Sequence, residues 1–416
     1  MRRLVVLGAG TAGTMVVNKL RSKLRDDEWS IAVVDQDDQH VYQPGLLALP
    51  FGESRMRDLV KPRSRFVPGG VDFVRSRVER VDPDARAVEL ADGRTLRYDY
   101  LVIATGTSPR PDQVPGMAEG IAGGCVHEFY TPAGAERLRE ALRAFDSGRL
   151  VVHVTEMPIK CPVAPLEFTF LADAWFAERG MRDRVELTYV TPLEGAFTRP
   201  IASGHLGGML DERKVHVEPD FVVDRIDPGG RTLVSVDERR IGYDLLVTVP
   251  LNMGADFVAR SGLGDELNYV PVDRHTLLST TYDTIFALGD ASDVPASKAG
   301  STAHFEVELF TENFLDHVAG RPMTRSFDGH ANCFVEAGHG RALLIDFNYD
   351  TEPLPGRYPL PAVGPFRLLE ESRVNHLGKR AFRWMYWNLL LRGRPVPVPA
   401  LMSMAGKTAA APPAGR

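Results

Sequence analysis

An apolar, β-branched run from Leu4 to Leu7 breaks directly into Gly8-Ala9-Gly10-Thr11-Ala12-Gly13. Nothing else in the chain constrains its fold as much. The helical pattern TMVVNKLRSKLR follows, then a second apolar run from Trp29 to Val34 that stops at Asp35. The order of strand, glycine-rich turn, helix, strand and acid predicts a βαβ unit built to hold a dinucleotide. Gly8 permits the tight turn, and Gly10 lets backbone N–H groups approach a pyrophosphate. Gly13 lets the helix pack close to the strand, so that the helix N-terminus faces phosphate charge. Asp35 stands 22 residues past Gly13, where a carboxylate accepts from ribose hydroxyls. These residues leave both FAD and NAD open.

A chain of 416 residues has room for two or three domains with their own cores. Its net charge of −6 gives no reason to expect a nucleic acid partner. Three cysteines are too few for a disulfide scaffold, so each must be judged as chemistry or as core. Arg2 and Arg3 before an apolar run resemble an export signal, but that run carries the fingerprint glycines and is too short, so no cleavable signal peptide is expected. No stretch reaches the length of a transmembrane helix. The expected protein is soluble or lies on a membrane surface, and no metal site is expected.

Strand patterns follow at Val71–Val74 and Ala87–Leu90, and the run Tyr98 to Ile103 ends in Ala104-Thr105-Gly106. In flavoproteins with two dinucleotide domains such a strand closes the first domain beside FAD, which tilts the cofactor toward FAD. Cys125 precedes a helical run at Ala133–Phe145, and Gly148 to Val154 is a buried strand that opens a second domain. A nicotinamide domain would repeat the glycine turn there. The chain instead reads Thr155-Glu156-Met157-Pro158-Ile159-Lys160-Cys161-Pro162-Val163-Ala164-Pro165-Leu166-Glu167. A pyrophosphate would meet no open backbone in it, so this domain is not expected to bind NAD(P). Further along, Ile285 to Leu288 runs into Gly289-Asp290, the second FAD signature of such flavoproteins. Together the two motifs select FAD. A helix predicted at Phe305–Ala319 makes the FAD domain discontinuous.

The predicted fold is α/β with two Rossmann-like domains. The FAD domain takes 1–115 and 275–325, the second domain 116–274 with Cys161, and the C-terminal segment 326–416 with Cys333. Within the last, 331–347 reads as a strand pair turning at Gly338–Gly340. Residues 375–394 (NHLGKRAFRWMYWNLLLRGR) mix aromatic, apolar and basic side chains, which suits an interfacial membrane helix; a helix docked on the protein's own core is the alternative. From about Lys407 the Ala/Pro-rich tail reads as disordered.

Five segments together resemble the sulfide:quinone oxidoreductases. They are the fingerprint, YDYLVIATG, KCPVAPLE, ALGDAS with Lys298, and ANCFVEAG with the basic aromatic stretch after it. The resemblance spans roughly residues 3 to 394. It implies redox cysteines at Cys161 and Cys333, a third at Cys125, and a proton-handling carboxylate at Glu167. It also implies FAD contacts at Gly8, Gly10, Thr11, Ala12, Gly13, Asp35, Gln36, Val78, Ala104, Thr105, Gly106, Gly289, Asp290 and Lys298. Where the family has a tyrosine and an acid after the Lys-x-Gly stretch, this chain has Ser301-Thr302-Ala303-His304, which marks a divergent subfamily.

The implied reaction begins with hydrosulfide attacking a Cys161–Cys333 disulfide, leaving a persulfide on one cysteine and a thiolate on the other. Electrons then pass through FAD to a quinone. Cys333 is expected to take the flavin-facing role, with Lys160 or the helix after Pro165 lowering the pKa of Cys161. The substrate is sulfide, a persulfide or another reduced sulfur species. The protein is expected at a cell membrane as a peripheral protein, anchored through 375–394, with the membrane face and a homo-oligomer left open. Three alternatives stand beside this reading: a type II NADH:quinone dehydrogenase, the flavoprotein subunit of a cytochrome-linked sulfide dehydrogenase, and a non-catalytic flavin and cysteine redox sensor or sulfur-relay partner.

Overall fold

Leu4, Val5, Val6 and Leu7 are each at most 3 % exposed, as a strand covered on both faces requires. In the computed structural model, which describes residues 1–360 and 363–408, they belong to β1 (Arg2–Leu7). With β2 (Trp29–Asp35), β3 (Val71–Arg75), β4 (Tyr100–Ile103) and β5 (Ile285–Ala287) it makes a five-stranded parallel sheet in the order β5-β4-β1-β2-β3. The chain leaves β1 toward β2 on one side, while β4 pairs with β1 on the other. That reversal of strand order opens a crevice at the carboxyl ends of β1 and β4, where open α/β sheets bind ligands.

The glycine turn sits at that crevice and leads into α1 (Thr11–Arg21). Gly8 has φ +95, and a Cβ there would lie 2.5 Å from the Ala104 carbonyl oxygen. A Cβ on Gly13 would lie 1.8 Å from the Gly8 carbonyl oxygen. Neither position admits a side chain, and so the turn after β1 and the Ala104-Thr105-Gly106 turn after β4 stay in contact.

A second parallel sheet has five strands in the order 126–127, 245–249, 148–154, 185–190 and 216–218. Its central strand, Gly148–Val154, runs through the Cys161 turn into α2 (Ala164–Glu178). This helix is buried from Ala164 through Ala174, as an apolar sequence without a polar face dictates. The turn before it is pinned to the first domain: the Cys161 N–H donates to the Lys298 carbonyl at 2.7 Å. Cys161 itself has φ +51, a left-handed conformation that costs a non-glycine residue about 1 to 3 kcal/mol.

The helix after the Gly-Asp turn, α3 (Gly300–Val318), starts five residues earlier than the predicted Phe305. Ser301 and Thr302 read as loop residues, yet a first helical turn leaves its N–H groups unpaired in any case and tolerates them. The predicted strand pair is present as β6 (Ala331–Gly338) and β7 (Arg341–Phe347), antiparallel across His339-Gly340. The basic aromatic stretch forms α4 (Arg373–Asn388), with the Ser372 hydroxyl accepting from the Asn375 N–H as its cap. A tight turn at Leu390–Arg392 follows and stops at Gly393, φ +63, shorter than the predicted 375–394 because a left-handed glycine ends helical runs.

A strand at Val78–Asp82 that sequence reading missed pairs with Ala87–Leu90, in a meander completed by Thr95–Arg97. The start of the expected disordered tail is held in place: Lys407 Nζ donates to Asp346 at 2.8 Å and the Thr408 N–H to the Pro355 carbonyl at 2.9 Å. The rest of that tail lies outside the described residues. Among the described residues, no helix is long and apolar enough to cross a membrane.

Candidate active site

The crevice at β1 and β4 widens into a cavity of about 450 Å³. At its entrance Gly10 has nothing within 4 Å of the position a Cβ would take, so the backbone there is open to a ligand. Thr11 and Ala12, at the N-terminus of α1, line the cavity beside it, as an anion-binding helix end requires. Asp35 Oδ2 accepts the Ala9 N–H at 2.7 Å, and Oδ1 accepts the Gln36 N–H at 2.8 Å. Arg63, which sequence reading missed, pairs with Asp35 at 3.0 Å and donates to the Ala9 carbonyl at 2.9 Å. Burial pushes the Asp35 carboxyl up, and Arg63 pulls it back.

Deeper in, Ala104, Thr105, Gly106, Gly289, Asp290 and Lys298 line the same cavity. The Thr105 hydroxyl is buried there without a protein partner, an arrangement that asks for a ligand acceptor or donor. Lys298 Nζ donates to the Ser292 carbonyl at 2.7 Å and, with Lys160, opposes the burial that raises Asp290. An open turn at one end and an orphan hydroxyl in the middle suit an extended dinucleotide.

Beneath the Gly289-Asp290 turn, Glu306 is 2 % exposed and accepts the Gly289 N–H. Burial pushes it up to about 7 from an ordinary 4.5, while the Gly289 N–H and Lys298 pull the other way. The folded chain therefore holds this proton more tightly than the unfolded one. Its contribution to stability is full below about pH 4.5 and is lost as pH rises through about 7. Glu306→Gln keeps the acceptor without the charge. Its melting temperature relative to wild type should therefore rise between pH 5 and pH 8; a constant difference would reject the assignment.

At the far end the cavity is lined by Cys161, Cys333 and Glu167 and, from α4, by Lys379 and Phe382. Cys161 precedes α2, Cys333 lies on β6, and both thiols are free. Glu167, one turn into α2, is 2 % exposed. Its Oε1 accepts the Glu336 N–H of β6 at 2.7 Å and the ammonium of Lys379. Lys379 also donates to the Phe334 carbonyl at 3.1 Å. Burial pushes the Cys161 thiol well up; Glu167 and Cys333 add to this, and Lys379 and the Ala164 N–H at the start of α2 oppose it. Cys333 is pushed up to about 11 by burial and then Glu167, against Lys379 and the Ser301 hydroxyl. Burial likewise raises the Glu167 carboxyl, with Lys379 pulling it down.

The cation facing the sulfurs is Lys379. The expected helper, Lys160, points elsewhere: its Nζ donates to the Thr107 carbonyl at 3.2 Å and faces Asp290 and Glu128. The start of α2 opposes the rise only through the Ala164 N–H, and burial outweighs it, so the Cys161 thiol is raised rather than lowered as expected. Tyr386 OH lies 2.7 Å from both Thr11 Oγ1 and His40 Nε2, tying α4 to the dinucleotide turn. His40 is held neutral, its pKa lowered to about 3 by burial and then Arg63.

Three predicted site residues stand apart from the cavity lining. Gly13 packs under the turn against Gly8. Val78 is spent on pairing with Leu90. Cys125 lies in a separate apolar cluster with Met117, Val126 and Ile226, its Sγ 3.6 Å from the Gly120 carbonyl oxygen. The structure brings Cys161 and Cys333 together with Glu167 and leaves Cys125 out, because the helix and strand flanking Cys125 pack on the far layer of the second sheet.

Residues 2–153 match the family model described as pyridine nucleotide-disulphide oxidoreductase. The mitochondrial sulfide:quinone oxidoreductase of Mus musculus is 26 % identical over 403 residues, covering 94 % of this chain and 86 % of that one. The mitochondrial sulfide:quinone oxidoreductase of Dictyostelium discoideum is 27 % identical over 400 residues, with the same two coverages. Among solved structures, the sulfide:quinone oxidoreductase of Aquifex aeolicus superposes with a TM-score of 0.78 at 19 % identity, over 95 % of this chain and 92 % of that one; that likeness is one of fold. The chain is a flavoprotein oxidoreductase whose residues 2–153 match the pyridine nucleotide-disulphide oxidoreductase model, and along 94 % of its length it is similar to the sulfide:quinone oxidoreductases.

Proposed function

We propose that the protein binds FAD in this cavity and oxidises sulfide, or a related reduced sulfur species, through Cys161 and Cys333, with a quinone as electron acceptor. The observation that carries this reading is the meeting of two cysteines, a buried carboxylate and an ammonium at the far end of a dinucleotide-sized cavity. FAD, when bound, accepts an electron pair from the sulfur site and yields it to the quinone. Gly10, Thr11, Asp35 and Arg63 would hold its adenosine and phosphate end, and Thr105, Asp290 and Lys298 its middle.

The chain's own groups do the remaining work. Burial disfavours a charged thiolate at either cysteine, so a neutral disulfide suits the resting pair. Hydrosulfide that opens it creates a sulfur anion, and Lys379 is the cation placed to stabilise that charge. Glu167, whose pKa burial raises, is placed to take a proton. Phe382, Tyr386 and Leu390 line the wall next to this end and offer an apolar entry for the quinone ring.

The test follows the flavin absorbance anaerobically while sulfide and then NADH are added. Sulfide alone should bleach it, and a quinone analogue should restore it. Bleaching by NADH alone would favour the type II NADH dehydrogenase reading. The Cys161 turn supports the first outcome, because it is packed on Lys298 and carries no glycines to admit a pyrophosphate.

The same reading places the protein on a membrane surface. One side of α4 faces the core, and the other presents Leu377 at 60 % and Trp384 at 61 % exposure beside Arg380 and Arg383. An outward apolar stripe with flanking arginines suits an anionic lipid interface. Replacing Leu377 and Trp384 together by glutamate should cut co-sedimentation with anionic vesicles by roughly tenfold or more, since each buried side chain contributes about 1.5 to 3 kcal/mol. Unchanged vesicle binding would remove α4 as the contact.

A further inference from the structure

We infer that Glu336 and His376 form, with Lys379, the route by which protons leave the buried sulfur site for solvent. The inference deepens the proposed reaction and rests on it. Glu167 and the two cysteines are enclosed, yet a sulfur oxidation releases protons there. Each persulfide made from hydrosulfide carries an S–H that must be lost before the sulfur chain can react further.

The geometry supplies two bonded pairs of titratable groups side by side, Glu167 with Lys379 and Glu336 with His376. Glu167 Oε1 accepts from Lys379 and from the Glu336 backbone N–H. After Glu167, the Glu336 carboxylate is the charge that most strongly supports the Lys379 ammonium. The Glu336 carboxylate in turn meets His376 Nδ1 at 3.0 and 3.2 Å. Glu167 is 2 % exposed, whereas Lys379, Glu336 and His376 are 19 %, 11 % and 20 % exposed, so the three outer groups all reach solvent.

His376 and Lys379 are three residues apart on α4 and so project from one face of it, toward β6. Glu53, Glu178 and Arg380 are the other charged groups around the outer end. A surface ion pair needs no such alignment with a buried carboxylate.

The steps balance as proton transfers alone. Hydrosulfide adds to one sulfur of the disulfide, the S–S bond breaks, and a persulfide S–SH and a thiolate result. The S–H proton passes to the Glu167 carboxylate. Lys379 gives an N–H proton to the Glu336 carboxylate through solvent water that their 19 % and 11 % exposure admits, and is refilled from Glu167. Glu336 passes its proton to the His376 imidazole, which releases it to solvent. No electrons travel this way: the persulfide anion and the thiolate close to a trisulfide as two electrons go to the flavin and on to the quinone, and a second hydrosulfide carries the bridging sulfur off as hydrodisulfide, which regenerates the disulfide.

The test uses the FAD-loaded full chain with His376→Gln, Glu336→Gln and His376→Ala, and stopped-flow flavin reduction by sulfide in H₂O and D₂O. Flavin reduction should slow by about tenfold or more in each variant, with a larger solvent isotope effect and unchanged flavin content. Added imidazole should restore much of the rate in His376→Ala. His376 is partly exposed, so its variants test the route even where Glu336→Gln folds poorly. Wild-type reduction with unslowed His376 variants and no imidazole rescue would overturn the route alone. Absence of any wild-type reduction by sulfide would overturn the proposed reaction and the route with it.

Discussion

Cys161→Ser and Cys333→Ser should each slow sulfide-dependent flavin reduction by about three orders of magnitude or more, with the flavin still bound. Serine nearly preserves the volume but forms neither a disulfide nor a persulfide, so hydrosulfide would have nothing to open. Both residues sit at the far end of the cavity, away from the glycine turn and Asp35, and neither change should empty the cofactor site. Photoreduction or dithionite should still bleach the flavin in both variants, which separates loss of the sulfur chemistry from loss of the flavin. Cys125→Ser should retain sulfide-dependent reduction, because Cys125 packs with Met117 and Val126 on the other side of the second sheet. Wild-type rates in either the Cys161 or the Cys333 variant would remove the dithiol mechanism.

Lys379→Met should be costly in two measurements at once. It strands the Glu167 carboxylate, 2 % exposed, without its cation, and breaking one side of a buried pair costs about 3 to 5 kcal/mol. The deficit has a definite pH dependence. With the ammonium gone, burial outweighs the remaining Glu336 N–H bond, so the orphaned carboxyl rises further and takes up a proton as pH falls. The loss in denaturation midpoint should therefore be larger at pH 8 than at pH 5. Adding Glu167→Gln to the Lys379→Met background should recover much of the stability, because an amide still accepts the Glu336 N–H. Flavin reduction by sulfide should not recover in that double variant, since no cation then faces Cys161. An unchanged midpoint in the single variant would mean that the ion pair is not formed in solution.

What could be read from the chain beforehand was whatever is encoded locally. The glycine turn, Asp35, the Ala104-Thr105-Gly106 strand end and the Gly289-Asp290 turn each follow a strand within a few residues, and sheet topology then gathers them at one crevice. Cys161 was legible because it replaces glycines where a glycine turn was due. Arg63 and Lys379 were not legible in this way, because their partners lie far away in sequence: Lys379 meets Glu167 across 212 positions. Reading 375–394 as one amphipathic stretch left a lipid surface and the protein's own core both open for it and singled out no basic residue for the site. Helical periodicity offered a finer signal. Lys379 is seven residues before the buried Tyr386 and three before Phe382, which puts it on the inward face, whereas Leu377 and Trp384 share the outward one. Cys125 fell outside the site for the opposite reason: it was placed by family pattern, with no local feature tying its segment to the crevice.

The hydrogen bonds from Tyr386 to Thr11 and His40 have a consequence for how the protein is made. Thr11 and Tyr386 are 375 positions apart. During synthesis at roughly 5 to 20 residues per second, the dinucleotide turn emerges about 20 to 75 s before the helix that seals it. A nascent chain that has completed the first sheet has a cofactor crevice but no wall at its sulfur end. The crevice is thereby formed before the last helix docks, which leaves the cofactor site open to loading in that interval.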